Sequence, residues 1–159
     1  FKVEILKALT PLYFDNRKKL SCIINAMQLV KILTAESQQN LKIYDLINNL
    51  FFILKNDNWV KEYIFWELNL LKLLGYDLEL KKIVSNEIIN GDVSYFVIIN
   101  NKKKFIPNFL IDFNINESDN SKLLNGLNLV GDFMEKSILK PNNISYPNTR
   151  LDFLNILKY

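Results

Sequence analysis

The 159-residue chain is about half apolar and carries a net charge of only +3. That composition supports a packed domain and argues against disorder, while the charge alone does not point to nucleic acid. With one cysteine, Cys22, and no histidine, an intrachain disulfide, a Cys/His zinc centre and a Ser-His or Cys-His nucleophile are excluded within one chain.

Residues 1–14 read as an apolar, basic entry segment ending near Pro11; because Phe1 is not an initiator Met, a preceding domain is expected to be missing. Asp15 is placed to cap a first helix from about Asn16, with Leu20, Ile23, Ile24, Met27 and Val30 along one stripe. The polar run AESQQN breaks that pattern. A second helix carries Ile43, Leu46, Ile47, Leu50, Phe51 and Leu54 on one side, and Asp57 or Asn58 can cap a third from about Trp59 to Leu74. On the third helix Lys61, Glu62, Asn69 and Lys72 share one narrow sector, so it is expected to be central, with Gly75 as its left-handed cap.

Residues 82–106 change character. KKIVS and VSYFVII are rich in β-branched and aromatic residues, which favours strands, and Asn100-Asn101 suits a tight turn, with NNKKKF able to supply a returning strand. Beyond a polar loop, Ser118 or Asp119 starts a fourth helix with Leu123, Leu127, Val130, Met134 and Ile138 in line, and Pro141 stops it. Pro147 opens a last helix bearing Leu151, Leu154 and Leu157. The fold expected is mainly α: a five-helix domain over 15–159 with a small β-hairpin insertion between helices three and four at about 82–106. Lys or Asn interrupts each apolar run before it reaches a bilayer-spanning length.

Glu67 is the anomaly. On a helix it falls among Val60, Tyr63, Ile64, Leu71 and Leu74. A dry carboxylate costs several kcal/mol unless it takes a proton, reaches water or meets a cation. The chain has two arginines, Arg17 and Arg150, and either can pair with it through a planar fork; Arg17, on a neighbouring helix, is preferred. The alternative is a Glu67 at a solvated helix edge. A catalytic glutamate has no companion carboxylate, histidine or ligand set, and the sequence lacks a Gly-rich phosphate loop, so an enzyme is not expected.

FWELNLLKLLGYDLEL resembles the signature of the bacterial DNA repair and recombination mediator family RecO, an aromatic-Glu-Leu helix ending in Leu-Gly-Tyr or Leu-Gly-Phe and then Asp-Leu. YFDNRKKLSCIINAMQLV resembles that family's first helix after its N-terminal domain, YFVIINNKKKF its short hairpin, and LNLVGDFMEKSILKPNNISYPNTRLDFLNIL its last two helices, with a Pro-x-x-Arg run. The alphaproteobacterial pattern is most similar. The resemblance implies a missing N-terminal OB-fold domain, with residues 1–14 as the connector leaving it. It also implies a cytoplasmic, nucleoid-associated protein of homologous recombination and the DNA damage response. Such a protein binds single- and double-stranded DNA, anneals strands, and works with RecR and the single-strand-binding protein C-terminal tail to load RecA. Some relatives hold zinc through four cysteines in the β insertion; residues 80–106 contain none, so no metal or other cofactor carries over. Packing by Tyr95, Phe96, Val97, Ile98 and Phe105 must steady the insertion instead.

For DNA the candidates are Lys102, Lys103 and Lys104 on a hairpin tip beside Phe105, where an aromatic next to cations can stack on a base, and Lys18 and Lys19 next to Arg17. Lys81 and Lys82 form a further basic pair. Short lysine runs are also ordinary solvated surface. For a partner's acidic tail, Arg150, Lys136 and Lys140 near Phe133, Leu151 and Leu154 can supply cations and a groove, although helical apolar spacing usually means core. A docking module that leaves DNA to the missing domain is the competing reading.

Overall fold

The computed structural model describes residues 8–34, 40–99 and 101–159. The first seven residues of the expected connector, most of the AESQQN break and Asn100 lie outside them. A 3-10 turn at Thr10–Tyr13 leads into α1 (Arg17–Leu33). The cap of α1 is Asn16 rather than Asp15: its side chain accepts from the Lys19 amide at 3.1 Å. Asn40 likewise caps α2 (Leu41–Ile53), accepting from the amides of Lys42 and Ile43. The third helix, α3 (Trp59–Leu73), ends where Gly75 takes φ +89°. There the Tyr76 amide donates to Leu71 O and the Gly75 amide to Lys72 O, which satisfies the last carbonyls of the helix.

KKIVS is not a strand. Leu80–Ile83 form α4, a single helical turn, and the strands follow as β1 (Ser85–Ile89), β2 (Asp92–Ile99) and β3 (Lys102–Ile106). They make an antiparallel meander in the order β1-β2-β3, one strand more than a hairpin. Ile89 faces Asp92 across Asn90-Gly91, whose φ values are +52° and +89°. Both are positive, as a type I′ turn needs, and Asn-Gly is the dipeptide that adopts them at least strain. Ile99 faces Lys102 across the second turn, with Asn101 at φ +59°.

Asp119 caps α5 (Asn120–Met134) by accepting from the Ser121 amide. A π turn (Glu135–Leu139) and a 3-10 turn containing Pro141 end that run, and α6 (Asn148–Leu157) opens behind Pro147. The five expected helices are thus α1, α2, α3, α5 and α6.

Packing puts α1 along α6, α2 on α3, and α3 on α5. Trp66 on α3 stacks on Tyr63 and donates its Nε1–H to Leu46 O at 2.7 Å, fixing α2 to the central helix. Gly126 lets α5 approach: a Cβ there would stand 2.8 Å from the ring of Phe109. The stripe expected on α5 is buried throughout. That on α1 is rotated: Cys22, Ala26 and Leu29 face the core, and Ile24 is half exposed.

Lys61 is the larger departure on α3, since it is buried rather than part of a solvated sector. Its ammonium donates to the carbonyls of Phe113 and Ile115, at 2.5 and 3.0 Å, and lies 4.3 Å from the Phe113 ring centre. The loop after the sheet folds over the helix and supplies oxygens, so the cation is solvated by backbone instead of water.

Candidate functional site

Glu67 and Arg150 have no exposed surface. Arg150 Nη1 donates to Glu67 Oε1 at 2.5 Å and Nη2 to Leu127 O at 2.7 Å, so one guanidinium joins α6 to both α3 and α5. Asn25 on α1 donates through Nδ2 to the Tyr63 hydroxyl at 2.8 Å and reaches Glu67 Oε1 at 3.4 Å. Gly131 leaves the room required, because a Cβ there would stand 2.6 Å from the Tyr146 hydroxyl and 3.0 Å from Arg150 Nε. The partner of Glu67 is therefore Arg150 and not the preferred Arg17, which is exposed in the first turn of α1. The α1 residue facing Glu67 is Asn25; Arg17 starts about 12 Å away along the helix axis, beyond a side chain's reach.

Electrostatics follow from this sealed pair. Burial alone would lower the Arg150 pKa, but the facing Glu67 carboxylate outweighs it and the net shift is upward, so the guanidinium stays charged. Burial, reinforced by the Glu67 charge, pushes the Tyr63 hydroxyl and the Cys22 thiol well above their ordinary values. The Glu67 carboxylate has no surface on which to meet a substrate. Its chemistry is to hold three helices in one arrangement.

The sheet lysines are on β3 rather than at a hairpin tip. Lys103 pairs with Glu87 on β1 and lies 4.5 Å from the centre of the Phe96 ring, and Lys104 pairs with Asp132 on α5 at 2.9 Å. Lys102 is in no ion pair among the described residues. Phe105 is about half exposed and meets the buried Phe96 at a steep angle, with ring centres 6.3 Å apart. Phe96 and Ile106 anchor the insertion, with Tyr95 and Val97 partly buried against the core; Ile98, expected to pack, is largely exposed.

The tail-binding set separates. Arg150 is sealed inside and offers a partner nothing. Lys140 pairs with Glu135 at 3.2 Å. Leu151 and Leu154 line a depression against the other face of α5, away from Phe133. Phe133 and Lys136 do come together, in a groove of about 190 Å³ whose floor includes Leu80, Val97 and Ile106, with Lys104 at its rim. The π turn carrying Lys136 forms one wall. Sequence reasoning missed this groove because its lining is drawn from α4, the sheet and the end of α5, which are brought together only by the fold.

At the other end of the molecule, Arg17 and Lys18 are exposed and belong to no ion pair among the described residues. Lys19 is half buried. Arg17 and Lys18 line a seam between α1 and α6.

The described residues form a helical bundle locked by a sealed ion pair, with apolar grooves on its surface. The chain belongs to the family described as Recombination protein O C terminal, whose model matches residues 15–104. Similar curated proteins are the DNA repair protein RecO of Rickettsia africae, 31% identical over 81 residues, which is 51% of this chain and 34% of that protein, and the DNA repair protein RecO of Rickettsia canadensis, 30% identical over 95 residues, 59% of this chain and 39% of that protein. The matched part of this chain thus spans little more than a third of the length of these relatives. No solved structure matches. Among the described residues, no helix is long and apolar enough to cross a membrane.

Proposed function

We propose that this chain serves DNA repair as a recombination mediator of the RecO kind, acting by binding and not by bond-breaking chemistry. In this reading it binds single- and double-stranded DNA, promotes annealing, and docks RecR and the acidic, apolar tail of the single-strand-binding protein, so that RecA is loaded on coated strands near the nucleoid. The observation that carries the reading is the family match over residues 15–104, together with relatives named for DNA repair. The groove at Phe133 and Lys136 supports the docking part, because it offers an apolar floor and a lysine in no ion pair among the described residues, with its one lining carboxylate, Asp132, already paired with Lys104.

The test is a titration of a labelled peptide with the sequence of that tail, with Lys136→Ala beside the parent. Binding that weakens several-fold in the variant is the expected result. Equal binding by both removes Lys136 from the site, and no binding by the parent removes tail recognition from this chain. A docking module without DNA affinity of its own is the second reading. It is favoured by one fact: Lys103 and Lys104 are already neutralised by Glu87 and Asp132. Retention of a single strand at low salt argues against it.

A further inference from the structure

The first turn of α1 consists of Arg17, Lys18 and Lys19 and contains no acidic residue. A helix N-terminus already carries partial positive charge, so cations there oppose the helix and favour an outside anion. Asn16 satisfies one of the free amides, but no ion pair among the described residues offsets Arg17 or Lys18. Arg17 lines two adjoining depressions, of about 490 and 430 Å³, in the seam between α1 and α6, and Lys18 lines the smaller. The larger is also lined by Ser21, Thr149 and Asp152, and the smaller by Asn155, Ile156 and Tyr159. Ser21, which lines the larger depression, is only 8% exposed and is in no side-chain hydrogen bond among the described residues. A hydroxyl donor beside cations that no described carboxylate neutralises matches an oxyanion.

We infer that this seam holds the backbone of a single-stranded nucleic acid. The inference rests on the reading that the chain binds DNA, and it moves the contact from the sheet lysines to α1 and α6. Arg17 grips one phosphate through its fork, Lys18 supplies a point charge to the next, and Ser21 donates to a phosphate oxygen. Asp152, the one side-chain carboxylate lining the seam among the described residues, and Asn155 meet base edges, where amino groups are available to a carboxylate. Tyr159, 98% exposed beside Arg17 and Lys18, offers a ring for stacking, which favours a nucleic acid over an acidic peptide.

The experiment is fluorescence anisotropy of the chain with a labelled mixed-sequence single strand over a range of salt. Replacing Arg17 and Lys18 by Ala together is expected to weaken binding at least tenfold. It should also flatten the slope of log K against log salt by about 1.4, the effect of two lost single-strand phosphate contacts. The variant's melting temperature should hold or rise, because the removed charges opposed the helix. Lys102→Ala is expected to change affinity less. A double variant with the parent's affinity and slope overturns the seam while leaving DNA binding by the chain intact. A parent that binds no strand at low salt overturns both. Displacement of the strand by poly-glutamate as readily as by unlabelled DNA overturns the assignment in favour of an acidic protein segment.

Discussion

Glu67→Gln changes little in shape and removes one charge from a place without solvent. The side chain keeps an oxygen for Arg150 Nη1, and the bond from Nη2 to Leu127 O is untouched. What changes is that a buried guanidinium loses its counter-charge. Breaking a buried pair from one side costs roughly 3–5 kcal/mol; the surviving bonds place this case near the lower end. For a chain of this length each kcal/mol is worth roughly 2–4 °C, so a fall of about 6–12 °C is expected. Thermal and urea unfolding followed by far-UV circular dichroism measures it, with an unchanged urea m-value as the sign that the fold is the same. Replacing both members, Glu67→Leu with Arg150→Met, should recover much of the loss, since the cost comes from the orphaned charge and not from missing attraction. A single variant within about 0.5 kcal/mol of the parent, where surface substitutions fall, would refute the argument. So would a double variant no better than the worse single one.

Gly131→Ala should cost about 1–3 kcal/mol in the same unfolding assay, because its Cβ collides with Tyr146 and Arg150; a neutral result would mean the α5–α6 contact is looser than described. Lys61→Met should release the carbonyls of Phe113 and Ile115, seen as faster amide exchange over residues 111–117, and unchanged exchange there contradicts the tether. Tyr63 and Cys22 keep their protons in the fold because burial, then the Glu67 charge, disfavours their anions. Their contribution is therefore complete below their unfolded pKa values and declines above about pH 9; a melting temperature that stays level or rises between pH 8.5 and 10.5 would contradict this. Cys22, with no exposed surface, should react with a thiol reagent only as fast as the chain unfolds, and labelling well ahead of unfolding would place it elsewhere.

The helices were legible because their apolar residues recur at three and four and their ends carry Asn, Asp, Gly and Pro in the right places. Glu67 was legible as a residue in need of a cation, since a charge in an apolar stripe has few ways to exist. Which arginine answers it was not, because that depends on how far each helix slides past the next. Arg17 fails by two helical turns, and Arg150 succeeds only because Gly131 gives it space. Lys61 misled for the same reason: the oxygens that solvate it lie more than fifty residues away. Asn90-Gly91 is readable as a tight turn by its dipeptide alone, and it marks the end of β1 and the start of β2 more sharply than the β-branched composition does. The lysines of β3 were found as a cluster, but a cluster in sequence alternates across a strand, and β1 and α5 claim two of the three.

The guanidinium that neutralises Glu67 lies 83 residues further along the chain. At roughly 5–20 residues added per second, the ribosome delivers that arginine some 4–17 s after the glutamate. Throughout that interval the growing chain holds a carboxylate whose arginine partner has not yet been made. The seam between the first and last helices likewise exists only on a molecule whose synthesis has reached the last helix. A piece cut at residue 104, where the family match ends, would inherit the acid without its base.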